Sequence, residues 1–115
     1  MFSDYVRNDD LRIYAGDDRP IIWPVTDLAG APADLSGFTV QAQVRASPQA
    51  PDVLQEWSTT NGRAAIVGST IQLAVDDSET WTWSQGAYDL HLIDSSSRHE
   101  VIAWGRVVVL PGVTR

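Results

Sequence analysis

The feature that most constrains this chain is its last apolar run, Val-Ile-Ala-Trp-Gly-Arg-Val-Val-Val-Leu over residues 101–110. In an extended strand successive side chains point to opposite faces. Val101, Ala103, Val107 and Val109 then share one face, and Ile102, Trp104, Val108 and Leu110 share the other. A strand that is apolar on both faces is expected at the centre of a sheet, covered from both sides. Just upstream, the run from Gly86 to Ile93 sets Tyr88, Leu90 and Leu92 against Asp89 and His91. The polar connector between the two runs makes them a hairpin.

The rest of the chain supplies partners for that hairpin. Leu11–Tyr14 alternates and stops at Ala15-Gly16-Asp17-Asp18, a turn. The segment 19–26 reads as a strand, but Pro20 and Pro24 remove ladder donors and predict an edge position or an irregular strand. The clearest alternation is Phe38–Arg45, with Phe38, Val40, Ala42 and Val44 inward. Val53–Trp57 reads as a short strand with Val53 and Trp57 bracketing its inward face. Asn61-Gly62 is the strongest hairpin-turn signal in the chain. Ala64–Val67 and Thr70–Val75 follow as strands. Acidic residues ahead of Trp81 predict one helical turn over 76–83. Seven to eight short strands with at most one short helical turn predict an all-β, immunoglobulin-like antiparallel β-sandwich. The expected organisation is an N-terminal arm, 1–10, and a single sandwich domain, 11–115.

Composition narrows the function classes. A hydrophobic fraction of 43% in 115 residues is enough for a packed core and argues against a disordered chain. Fifteen carboxylates against eight arginines give a net charge of −7, which repels phosphate backbones and anionic lipid. Neither nucleic acid nor membrane is therefore an expected partner. The absence of cysteine excludes thiolate metal sites and disulfides. The N-terminal ten residues lack the basic start and apolar run of a signal peptide.

No catalytic constellation stands out. His91 and His99 flank the connector, with Asp89 and Glu100 near, yet their spacing matches no metal motif. The acidic pairs Asp9-Asp10, Asp17-Asp18 and Asp76-Asp77 lack the alternating oxygen ligands of a calcium loop and read as turn and cap residues. No serine stands in a nucleophile elbow, and no glycine loop cradles phosphate. The expectation is a non-enzyme without cofactor or metal.

The order of motifs carries one further signal. Asp27-Leu28-Ala29-Gly30-Ala31-Pro32 precedes Phe38–Arg45, and Asp76-Asp77-Ser78-Glu79-Thr80 follows a strand. Gly86-Ala87-Tyr88-Asp89-Leu90 then leads, through Ile93-Asp94, to Gly105-Arg106-Val107-Val108-Val109. Over about residues 11–115 this resembles the small immunoglobulin-like sandwich proteins of tailed bacteriophages. It is similar to the N-terminal domain of upper baseplate proteins and to short tail-associated sandwich proteins of actinobacterial phages. The resemblance implies a virion structural protein, made in the host cytoplasm, that acts in the tail or tail tip through contacts with other phage structural proteins or with copies of itself. A tail-fibre chaperone, a capsid decoration protein and a host-glycan-binding module are the competing readings. The family offers no catalytic motif to carry over.

Five tryptophans set this chain apart from that pattern. Trp104 and one other are expected between the sheets. Trp23, on the proline-flanked strand, and Trp81 or Trp83 are expected to be exposed, as aromatic anchors of interfaces are. With Trp57, and with Phe2 and Tyr5 of the N-terminal arm, they form the set of candidate interface residues.

Overall fold

The computed structural model describes residues 7–16, 18–75 and 83–110. These form nine strands and no helix: β1 (Arg7–Asn8), β2 (Leu11–Tyr14), β3 (Ile21–Pro24), β4 (Thr39–Arg45), β5 (Gln55–Ser58), β6 (Ala64–Val67), β7 (Thr70–Leu73), β8 (Gln85–Ile93) and β9 (His99–Leu110). The large sheet runs β1-β9-β8-β4-β5, with β2 also on β9; the small sheet runs β3-β7-β6. This is the strand arrangement of an immunoglobulin-like sandwich. The expected helical turn lies almost wholly outside the described residues.

Alternation builds the core. On β4, Val40, Ala42 and Val44 are buried; on β8, so are Tyr88, Leu90 and Leu92. They meet Trp23, Ile71 and Leu73 from the small sheet. The core contains no cysteine, and a polar bond also ties its two sides together. The Trp57 indole N–H donates to the carbonyl of Ala74 at 2.8 Å, joining β5 to the end of β7.

Pairing departs from the antiparallel expectation at one edge. β1 and β2 run parallel to β9 in a single register, Asn8 opposite Trp104 and Leu11 opposite Val107. Between them the Asp9 N–H still donates to the Trp104 carbonyl at 3.0 Å, and the Asp10 carboxylate takes the Arg106 N–H at 3.1 Å. Gly105 makes this passage feasible, since a Cβ there would lie 2.4 Å from the Asp9 carbonyl oxygen. The Tyr88 hydroxyl, in the core, donates to that same carbonyl.

Three local expectations change. Asn61-Gly62 does form a tight turn: Asn61 Oδ1 takes the Ser58 N–H at 3.1 Å, and Ser58 Oγ takes the Asn61 N–H at 2.9 Å. Yet β5 and β6 belong to different sheets, so the turn carries the chain across the sandwich rather than closing a hairpin. Val53 precedes β5 and is exposed, so it brackets no inward face. Finally, β9 is interior to its ladder but covered on one face only. Its pairing with β8 skips Ile102 between Leu90↔Ala103 and His91↔Val101. That bulge reverses the alternation, so Val101 joins Trp104 on the outer face, and Ile102 packs against the core.

Candidate binding surfaces

Each sheet turns an outer face away from the core, and the two differ in chemistry. On the large sheet a row of residues in register crosses five strands: Glu56 on β5, Gln43 on β4, Asp89 on β8, Trp104 on β9 and Asn8 on β1. On one side of that row lie Gln41 and His91, on the other Arg45, Ala87 and Arg106. Ala87, short between two arginines, leaves a dip. The result is an open groove of about 930 Å³.

Part of this lining is pinned. Gln43 and Gln41 both donate their amides to Glu56 Oε1, at 2.8 and 3.1 Å. These two bonds, Gln43's first, hold the Glu56 carboxyl below its ordinary value. Arg45 in turn donates to Gln43 Oε1 at 3.1 Å and to the carbonyls of Ala50 and Pro51 at 3.0 and 2.7 Å.

At the hairpin end of the face, Asp89 Oδ2 lies 3.1 Å from His91 Nε2, and His91 Nδ1 lies 3.0 Å from His99 Nδ1. The rings meet edge to face, with centroids 5.2 Å apart. With Asp89 accepting the Nε2 proton, the two Nδ1 atoms share a single hydrogen bond, one ring donating and the other accepting. The sequence places these histidines near each other, and the bulge turns His99 onto the outer face that His91 already occupies. Among the described residues no group of three or more His, Asp or Glu side chains converges on a point as metal ligands would.

The small sheet's outer face is plainer. Ile22 pairs with Gln72 and Gln72 with Ala65; Pro24 pairs with Thr70 and Thr70 with Val67. None of the six is charged. Ile22 is 49% exposed and Val67 56%.

The tryptophan assignments require correction. Trp23 is 4% exposed and Trp57 0%, so neither is a surface anchor. Trp23 does stand on an edge strand, but edge position leaves one face of a strand inward, and Trp23 points there opposite Ile71. Trp57 belongs to the core next to Ala42. Trp104, expected in the core, is 49% exposed at the centre of the groove. Trp83 is half-buried and packs against the core. Phe2, Tyr5 and Trp81 lie outside the described residues. The signal for Trp104 was present in its polar cross-strand neighbours, Asp89 above all. Comparison with known proteins gives no match to a family model or to a curated sequence.

Proposed function

We propose that the chain is a non-enzymatic structural protein of a tailed-phage particle, a tail or tail-tip accessory subunit that works by protein–protein contact. The observation that carries this reading is the outer face of the small sheet. Ile22, Pro24, Ala65 and Val67 stand exposed there with no charged residue among them. An uncharged, flat apolar face is the surface type that interface cores use. The sandwich topology also fits the resemblance in motif order.

The test is quantitative mass spectrometry of purified particles of the phage that encodes the chain. A few copies in fixed ratio to tail-tip proteins are expected. Hundreds of copies would move the protein to the capsid surface or tail tube, and absence from the particle would end the structural reading in favour of an assembly chaperone. Within that experiment, Val67→Arg should cut incorporation severalfold or more, as loss of an interface anchor does. Its folding stability should stay within about 0.5 kcal/mol of the parent, as for most surface changes.

A further inference from the structure

We infer that the groove on the large sheet is a binding site for a neutral glycan, with Trp104 as its stacking platform. The inference concerns the face opposite the one assigned to protein contact and stands without that assignment. It rests on three properties of the groove.

The first is charge. Arg45 and Arg106 face Asp10 and Asp89 in the groove lining, and Glu56, in the wall beside Gln43, adds a third carboxylate held by two amide donors. In a chain of net charge −7 this groove has no surplus of positive charge and does not attract a polyanion. It suits an uncharged ligand rich in hydroxyls.

The second is unspent hydrogen bonding around an aromatic ring. The Asn8 amide and the Arg106 guanidinium have no hydrogen-bonding partner among the described residues, and Asp89 is engaged only through Oδ2. Asn8 and Asp89 are the direct register neighbours of Trp104 on either side. The indole is flanked by an amide that both donates and accepts and by a carboxylate oxygen that accepts. A pyranose presents a flat C–H face for the ring and equatorial hydroxyls at its rim, and this set meets both requirements. A purely apolar peptide anchor would leave those polar groups desolvated and unpaired, which is costly.

The third is preorganisation and size. The Glu56–Gln43–Arg45 network fixes one wall before any ligand arrives, which lowers the cost of ordering side chains on binding. At about 930 Å³ the groove lies within the roughly 300–1,000 Å³ range of small-molecule sites. It is open at the surface, so a chain could enter and leave it.

The purified chain should be titrated with defined neutral gluco-, galacto-, manno- and arabino-oligosaccharides, following tryptophan fluorescence and indole N–H resonances. Saturable binding with Kd of about 1 mM or tighter is expected for at least one configuration. Trp104→Ala should weaken it by about tenfold or more, and Asp89→Asn should weaken it by several-fold. Val67→Ser, on the opposite face, should leave it unchanged. Trp104→Phe guards against a folding artefact, since it keeps an aromatic platform and should retain part of the affinity. Failure of every neutral sugar to saturate, or binding indifferent to Trp104→Ala, overturns the inference. So does a preference for polyphosphate or another polyanion, or a protein partner whose binding alone depends on Trp104. Particle composition and sugar binding are read separately, so either proposal can fail while the other stands.

Discussion

The two outer faces of this sandwich come from the same alternation rule, yet they have different surfaces. The small sheet exposes apolar and uncharged side chains with no side-chain hydrogen bonds across the face among the described residues, while the large sheet exposes long polar side chains linked strand to strand. The difference lies in what each face can recognise. A bare apolar face gains by excluding water and is tolerant of its partner's detail. A cross-linked polar face holds donors and acceptors at set positions and discriminates between ligands that match them and ligands that do not.

The strongest way to break the comparison is to remove the core that both faces share. Trp57→Ala deletes a fully buried indole and the bond to Ala74. It should cost about 3–5 kcal/mol in chemical denaturation, as large aromatic truncations do, and so loosen both faces at once. A smaller change should separate them. Gly105→Ala drives a Cβ into the Asp9 carbonyl; overpacking of this kind costs about 1–3 kcal/mol. Hydrogen exchange should show lost protection for Asp9 and Arg106, at the Trp104 end of the large face, with the β3-β7-β6 sheet unaffected.

The mildest probe is acid. The folded-state value of Glu56 is depressed from the ordinary 4.5, so its bonds to Gln43 and Gln41 stabilise the fold above that pH. Their contribution is lost as pH falls from 4.5 through the lowered folded value. Denaturation midpoints measured across that window should fall for the parent and fall less for Glu56→Gln. The small sheet's strands carry no carboxylate and add nothing to the slope.

Much of the fold was legible in the residues. Val40, Ala42 and Val44 announced the inward face of β4, and Pro20 and Pro24 announced the edge position of β3. What failed was information that strands do not carry alone. The turn residues Asn61-Gly62 encode a sharp reversal but not which sheet the next strand joins. The run 101–110 hides the bulge at Ile102, because residues of both parities are apolar there. The candidate sites suffered most: aromatic content flags an anchor, but whether it faces in or out depends on register. Trp23 and Trp104 therefore exchanged the places expected of them.

The parallel pairing of the first and last strands has a mechanical consequence. Arg7 lies beside Ala103 and Leu110 beside Tyr14, so a pull between residues 7 and 110 drags β1 and β2 lengthwise against β9. Their hydrogen bonds lie across the pulling direction and share the load, and they must give way together rather than peel apart one by one. Pulled in that direction, this small sandwich resists as a shear clamp.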